Sequence, residues 1–291
     1  MKILFINNKT AQCGVFQYGK NMYDGICKSK LYKIDYIEID KFNINYDNYD
    51  VLLFNYHPAT MPYLNEEIIS IINKDKVTIS IAHDNCLLNF KYYIVPDPTF
   101  ISCNNKFKIG RLLFDYSGDY SINNVPIIGT FGLARGGKGF EKIVDRVLSE
   151  FNDFIVNIHI PESTYCPSSV VNKITNMYGN DTRINITSQY LHNSELLKFL
   201  ASNDINLFMY DRHEGCGISS VIDYALSVKR PIGITNSYMF RHIIKSNILL
   251  ENNTIKNIMD LGTLPLQEFY NWNEENFILE FENILRDIHV I

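Results

Sequence analysis

The stretch INLFMYDRHEGCGISSVIDYALSVKRPIGIT, residues 205–235, is the most informative part of the sequence. Its pattern predicts a buried strand, an acidic turn bracketed by glycines, a helix and a second buried strand. Such a unit is typical of a parallel sheet with helices on both faces. Because the first N–H groups of a helix have no partner within the helix, the turn also predicts a site for a phosphate or a sugar hydroxyl.

The same alternation of apolar strands and helical patterns runs through the rest of the chain. Strands are predicted at 2–7, 33–39, 51–55, 77–82, 127–131, 154–160 and 183–187, and helices at 15–29, 66–73, 140–150, 168–176, 193–201 and 274–288. A polar, turn-rich segment at 117–125 separates two such sets. We therefore expect a first domain over 1–120, a second over 121–268 and a C-terminal helix within 269–291.

Composition narrows the class of protein. The 291 residues are 46% hydrophobic and 20% charged, which suffices for the cores of two domains. The net charge of −5 argues against nucleic-acid binding. No apolar run approaches the roughly 20 residues that span a bilayer, and no signal peptide is recognisable. Six cysteines without a CxxC pair or a metal-ligand spacing indicate reduced thiols, so a cytoplasmic protein is expected.

Four segments carry a resemblance to a known family. They are TISIAHDN (78–85), IIGTFGLARGGKGF (127–140), LHNSELLKFLASNDINLFMY (191–210), and HEGCG followed by KRPIGIT within the opening stretch. In this order they resemble the retaining glycosyltransferases of the family-4 type. The resemblance implies an α/β protein of the GT-B fold, with two Rossmann-like domains facing each other across a cleft. It also implies a C-terminal helix that crosses back to the first domain.

The resemblance further implies an activity. A hexose would pass from a nucleoside-diphosphate sugar, such as a UDP- or GDP-hexose, to a hydroxyl of a glycan, a lipid-linked acceptor or a protein. The anomeric configuration would be retained, and neither a metal nor another cofactor would be needed. The implied catalytic residues are Glu214, His83 and Lys138. The implied donor-binding residues are Gly14, Arg135, Gly215, Gly217, Ser219, Asp223 and Ser237.

The candidates for binding a diphosphate are the basic residues in and beside GGKGF (136–140), at the end of the second segment. Lys138 directly precedes a predicted helix, whose start is already electropositive, so an anion there would remove an electrostatic conflict. Arg135 could hold the diphosphate through two hydrogen bonds. Leu133 stands where the family has its phosphate arginine, so Arg135 is displaced. Either side chain could instead be a solvated surface charge.

Glu214 and His83 are the candidates for contacting the sugar. Glu214 could accept hydrogen bonds from hydroxyls or stabilise positive charge at the anomeric carbon, or it could only offset the unpaired N–H groups of a helix start. Gly215 and Gly217 would allow a ligand to approach closely. The ring or carbonyl of His83 could bind a sugar hydroxyl, although a lone histidine at a strand end is more often structural.

The remaining candidates are weaker. Gly14 would let the first helix approach the donor phosphates. The family's second acid falls on Ile222 at the strict spacing, so Asp223 could reach the ribose instead, or it could be a packed or solvated helix acid. Ser219, placed in the first helical turn with Ser220, would offer a hydroxyl. Ser237 begins a loop expected to contact the diphosphate through backbone amides.

Two other classes of function remain open. One is a different enzyme on the same fold, such as an epimerase or a phosphorylase. The other is a non-catalytic module that binds a nucleotide or a glycan. Fold alone does not separate these alternatives, because one fold hosts many chemistries.

Overall fold

The computed structural model describes residues 1–10, 13–83, 88–161, 169–212 and 217–291. The chain forms two compact units. The first contains Met1–Leu112, Gly215–Ile218 and Trp272–Ile291, and the second contains Leu113–Glu214 and Ser219–Asn271.

The regular elements alternate between strands and helices along the chain. In order they are β1 (Lys2–Asn8), α1 (Gly14–Ile26), β2 (Lys33–Ile39), β3 (Val51–Phe54), α2 (Glu66–Ile72), β4 (Val77–Ile81), β5 (Tyr92–Val95), β6 (Lys106–Lys108), β7 (Ile127–Phe131), α3 (Phe140–Glu150), β8 (Ile155–His159), α4 (Ser169–Tyr178), β9 (Ile184–Thr187), α5 (Asn193–Ala201), β10 (Ile205–Phe208), α6 (Val221–Ser227), β11 (Ile232–Ile234), α7 (Ile255–Leu261) and α8 (Glu274–Asp287). Two 3-10 helices, Tyr238–Phe240 and Leu264–Asn271, flank α7.

The first unit is built on a parallel sheet with the strand order β2-β1-β3-β4-β5-β6. Ile3 of β1 pairs with Ile34 on one side and with Val51 on the other. Because the chain leaves β1 toward β2 and resumes at β3 on the opposite side, the strand order reverses between β1 and β3. Strands buried on both faces, such as β3 with four buried residues, follow from their continuous apolar sequence.

Helix α8 completes the core of this first unit, although a whole second unit separates it in sequence from the strands that it covers. Asn273 caps its start by accepting a hydrogen bond from the Asn276 amide at 2.9 Å. Its apolar stripe is buried in the same cluster as residues of β1 and α1. The stripe consists of Phe277, Phe281, Ile284 and Leu285. Helix α8 thus belongs to the same unit as Met1–Leu112.

The second unit has a parallel sheet with the order β11-β10-β7-β8-β9. The chain passes outward from β7 through β8 to β9 and then returns to β10 on the other side of β7. Here the strand order reverses between β7 and β10. Helix α3 packs on this sheet through its apolar side, with Phe140, Ile143, Val144 and Val147 in the core.

The sequence predicts the strongly apolar elements well. The bounds predicted for β2, β7, α3 and α5 are those of the structure. The predicted helix at 168–176 begins outside the described residues at its first position and is observed as Ser169–Tyr178. Strands β5 and β6 and helix α7 are not predicted by the sequence pattern. Among the described residues, no helix combines the length and the apolar character needed to cross a bilayer.

The imidazole of His159 makes the stability of the second unit depend on pH. Its side chain is 1% exposed, its Nδ1 lies 2.9 Å from Thr187 Oγ1, and burial lowers its pKa from the ordinary 6.5 to about 4. The unfolded chain therefore binds a proton below pH ~6.5, whereas the folded chain does so only near pH ~4. The free energy of unfolding is full above pH ~6.5 and falls as the pH drops from there toward ~4.

We expect this histidine to cost about 2 kcal/mol of stability at about pH 5 relative to about pH 7.5. Urea unfolding of the wild type and of His159→Gln at both pH values measures the effect. The variant, which cannot take up this proton, should lose less stability on acidification. Equal losses in both proteins would show that His159 does not titrate between the two states as described.

Candidate functional site

The carboxyl ends of the strands provide the candidate site in each unit. In open parallel sheets, ligands bind beyond these ends, where the strand order reverses. In the second unit this place lies between β7 and β10. It is formed by the loop 132–139 after β7, the segment that begins at residue 209 after β10, and the loop that follows β11.

Backbone contacts tie the first two of these loops together. The Asp211 amide donates to the Gly137 carbonyl at 2.8 Å. Gly137 and Gly139 have positive φ values of 78° and 67°, a conformation that favours glycine. A Cβ on Gly139 would also overlap the carbonyl oxygen of Met209. The glycines of GGKGF thus bring the β7 loop against the end of β10.

Lys138 stands between these two glycines, at the start of α3. Its Nζ lies 3.7 Å from the centre of the Tyr210 ring. Among the residues that the structure describes, no carboxylate forms an ion pair with it. Gly139 caps the helix without a side-chain hydrogen bond, and Glu141 of the first turn is paired with Lys173 at 2.8 Å. A cation therefore lies at the electropositive end of an 11-residue helix, offset by the face of an aromatic ring.

Two of the predicted serines lie on the same side of the sheet, but their polar groups already have partners. The Ser219 hydroxyl donates to the Tyr210 hydroxyl at 3.4 Å, and its amide donates to the Met239 carbonyl at 3.1 Å. The Ser237 hydroxyl is buried and donates to the Asp211 carbonyl at 2.9 Å. These serines hold the three strand-end loops together. Because the Ser219 amide already donates to the Met239 carbonyl, it is not a vacant donor.

The helix after the acidic turn starts later than predicted. Helix α6 begins at Val221, so Ser219 and Ser220 precede it, and the Ser219 amide bonds to the Met239 carbonyl. Asp223 does lie on α6, in its first turn, and is 5% exposed. The Arg135 side chain is exposed on the β7 loop, five residues before α3 begins.

A polar pocket of about 310 Å³ opens beside these loops. Its lining includes Lys142, Tyr210, Asp211, Asn236 and Glu251. Lys142 forms an ion pair with Asp211, and the Asn236 amide donates to Glu251 at 2.8 Å. The pocket wall thus contains one ion pair and a carboxylate that accepts from a backbone amide.

In the first unit, His83 follows the end of β4. Its Nε2 lies 2.6 Å from Asn55 Oδ1, and the Tyr18 ring meets its imidazole edge to face at 5.3 Å. Burial, with a smaller contribution from the neighbouring charges of His57 and Arg111, lowers the pKa of His83 to about 3. The imidazole is therefore neutral at physiological pH.

Two of the predicted glycines, Gly217 and Gly14, lie in the first unit. The segment containing Gly217 belongs to this unit, and a Cβ on Gly217 would overlap the His83 carbonyl oxygen. Gly14 is the exposed first residue of α1, whose cap Cys13 offers no side-chain hydrogen bond. Glu214, Gly215 and Asp84, the residue after His83, lie outside the described residues.

The structure adds three residues that the sequence did not single out: Tyr210, Asn7 and Asn55. Each lies at or just after the carboxyl end of a strand, and this position can be identified from the sequence. Their importance depends on partners far away in sequence, such as Lys138 for Tyr210. Spacing along the chain does not reveal such pairs.

Gly139→Ala tests the geometry of the lysine loop. The left-handed backbone alone should cost about 1–2 kcal/mol of stability, and the overlap with Met209 should add to it and displace Lys138. Gly136→Ala is the matched control, since a Cβ there would meet no atom within 4 Å and the residue has no positive φ. Thermal unfolding of both variants measures the difference, and equal melting temperatures would contradict this geometry.

No family model and no curated protein matches the sequence. Solved structures do match over almost the whole chain. Sucrose-phosphate synthase from Thermosynechococcus elongatus matches with a TM-score of 0.73 and 10% identity, over 99% of each chain. A glycosyltransferase from Rickettsia africae matches with a TM-score of 0.70 and 12% identity, over 99% of this chain and 98% of that one. HepE of Anabaena, in complex with UDP and glucose, matches with a TM-score of 0.69 and 9% identity, over 99% and 100%.

These similarities confirm the predicted α/β class and the GT-B fold. At identities of 9–12% they concern the fold, and the chemistry has to be argued from the side chains of this chain.

Proposed function

We propose that this chain is a glycosyltransferase that moves a hexose from a nucleoside-diphosphate sugar to an acceptor hydroxyl, with retention and without a metal. The observation that supports it most is Lys138, a cation with no carboxylate partner among the described residues, at the electropositive start of α3. This arrangement suits an anion that the described residues do not supply. UDP and glucose, the ligands in the HepE structure, make a UDP-hexose the first donor to test.

The proposed reaction breaks the bond between the anomeric carbon and the diphosphate oxygen. A new bond forms from that carbon to the acceptor oxygen on the same face, and the proton of the acceptor hydroxyl passes to the leaving diphosphate. Negative charge develops on the leaving diphosphate as the bond breaks. The Lys138 ammonium group and the first amides of α3 would stabilise that charge, which lowers the barrier because these groups are already in place.

The other implied residues keep their proposed roles. His83 would bind a sugar hydroxyl, and Glu214 would accept hydrogen bonds from the sugar or stabilise positive charge at the anomeric carbon. Arg135, whose side chain is exposed, and the glycines 14, 215 and 217 would contact the donor. Asp223 is the proposed ribose contact. The acceptor would be a glycan, a lipid-linked glycan or a protein in the cytoplasm.

A binding screen followed by an activity assay tests this proposal. Thermal shifts with nucleoside diphosphates and their sugars identify the donor, and the release of nucleotide is then measured with and without candidate acceptors. Acceptor-dependent release supports transfer, and NMR of the product reports the anomeric configuration. Unchanged rates in EDTA would support the metal-independent reaction, and loss of activity restored by a divalent cation would contradict it.

The same assays separate the competing functions. A phosphorylase would release sugar phosphate when given a glycan and inorganic phosphate. An epimerase would convert the nucleotide sugar without releasing nucleotide. A binding module would show thermal shifts and no product with any donor, and this outcome would overturn the proposed transfer.

A further inference from the structure

A chain of buried amide side chains leads to His83 in the first unit. Asn7 and Asn55 are both fully buried, and they lie at the carboxyl ends of β1 and β3, where the strand order reverses. Buried amides are costly unless their donors and acceptors have partners. The partners of these two residues fix which way each amide points.

The orientation of Asn55 follows from a backbone carbonyl. Its Nδ2 lies 2.7 Å from the Val15 carbonyl oxygen and 2.7 Å from Asn7 Oδ1. A carbonyl oxygen can only accept, so the amide nitrogen must face it. The Oδ1 of Asn55 therefore faces His83 Nε2, at 2.6 Å.

The orientation of Asn7 is fixed in the same way. Its Nδ2 donates to the Phe16 carbonyl at 3.1 Å and to the Tyr36 hydroxyl at 3.0 Å. Its Oδ1 accepts from the Asn8 amide at 2.9 Å as well as from Asn55. Tyr36 in turn donates to Glu38 at 3.0 Å. The donor and acceptor roles are thus determined along the whole path from Glu38 to Asn55.

This path determines the tautomer of His83. Because Asn55 Oδ1 can only accept, the hydrogen between the two side chains belongs to Nε2 of the histidine. Among the described residues, the charged or titratable groups facing His83 are Arg111 and His57, and the Tyr18 ring packs on its imidazole. Arg111 and His57 disfavour a second proton. The ring is therefore neutral, and Nδ1 keeps its lone pair.

We propose that Asn7 and Asn55 are positioning residues that hold His83 as its Nε2–H tautomer, so that His83 Nδ1 accepts a hydrogen bond from a hydroxyl of the sugar substrate. This inference rests on the proposed transfer of a hexose. It also assigns the partner by chemistry, since a neutral nitrogen with a lone pair suits a hydroxyl donor and repels a phosphate oxygen. His83 would therefore recognise the sugar and not the diphosphate.

Nitrogen NMR of the wild-type protein tests the tautomer directly. Histidine labelled with 15N gives separate signals for protonated and unprotonated ring nitrogens, and the signals that disappear in His83→Gln identify this ring. We expect a protonated Nε2 and an unprotonated Nδ1 at about pH 7, persisting at about pH 5.5. A protonated Nδ1, or a doubly protonated ring at that pH, would overturn the proposal without any variant of Asn55.

Asn55→Asp tests the positioning role. A carboxylate beside Nε2 should favour the doubly protonated ring, which removes the acceptor at Nδ1. The substitution also removes the donor to Val15 and Asn7, so binding is compared only after thermal unfolding shows that the variant is folded. We expect the affinity for the nucleotide sugar to fall at least about tenfold, while that for the free nucleoside diphosphate stays the same. Asn185→Asp is the matched control, because Asn185 is an exposed amide that donates to Asn157 at 3.0 Å in the second unit.

The outcomes separate this inference from the function on which it rests. If the folded Asn55→Asp protein binds the nucleotide sugar as the wild type does, the positioning role is wrong. An equal loss for sugar-bearing and sugar-free nucleotides would contradict it too, since a structural defect would explain that result. If the wild type binds no nucleotide sugar at all, the proposed function fails, and the NMR spectrum still decides the tautomer.

Discussion

Lys138→Ala is expected to lower turnover at least about a hundredfold, equivalent to roughly 3 kcal/mol of lost transition-state stabilisation. The charge on the leaving diphosphate is largest when the bond to the sugar breaks, so the lysine should affect the rate constant more than the affinity for the donor. The measurement is nucleotide release at saturating donor and acceptor, together with donor affinity from thermal shifts.

Two variants make this result specific. Lys173→Ala removes an exposed lysine that is paired with Glu141, near the same helix, and should change turnover by no more than about twofold. Lys138→Arg keeps the charge and should recover part of the activity. Because Lys138 also contacts the Tyr210 ring, the melting temperature of each variant must be compared. Turnover like the wild type in a folded Lys138→Ala protein would remove this lysine from the mechanism.

Phe281→Ala is expected to destabilise the first unit by about 3–5 kcal/mol. The side chain is fully buried, lies in the cluster formed with β1 and α1, and meets the Tyr32 ring at 5.6 Å. Removing it leaves a cavity that the surrounding sheet and helix cannot fill. Urea unfolding followed by the fluorescence of Trp272, the one tryptophan of the chain, reports on this unit.

Leu279→Ala is the control for that experiment. Leu279 is on the same helix, two positions earlier, and is 50% exposed, so its loss should change stability by only about 0.5 kcal/mol. A similar small change for Phe281→Ala would mean that α8 contributes little to the core. A large change for Leu279→Ala would point to a partner for the exposed face of the helix.

The sequence predicts much of this fold because its parallel strands are apolar throughout. Val51–Phe54 and Ile205–Phe208 are each buried at every position, and such runs are visible without a structure. By contrast, β6 has only three residues, KFK, with none fully buried, and its place in the sheet is set by pairing with β5. A strand of that kind is stabilised by its neighbour, which no local pattern records.

The candidate site is predictable to a smaller extent. Lys138 is recognisable because the glycines on both sides indicate an unusual backbone conformation. Its position before a helix also places it at the electropositive end of that helix. His83 is recognisable as the end of a strand. The amides of Asn7 and Asn55, however, look like ordinary strand-end residues until the fold brings residues 48 positions apart within 2.7 Å.

The placement of α8 has a consequence for biosynthesis. The ribosome makes residues 1–112 first, yet the helix that covers their apolar surface emerges only after all of residues 113–271. The second unit has its own core and can fold while the apolar surface of the earlier strands is still uncovered. Exposed apolar surface on a nascent chain invites aggregation. This order of events makes the amino-terminal unit the part of the protein that most needs chaperone protection during translation.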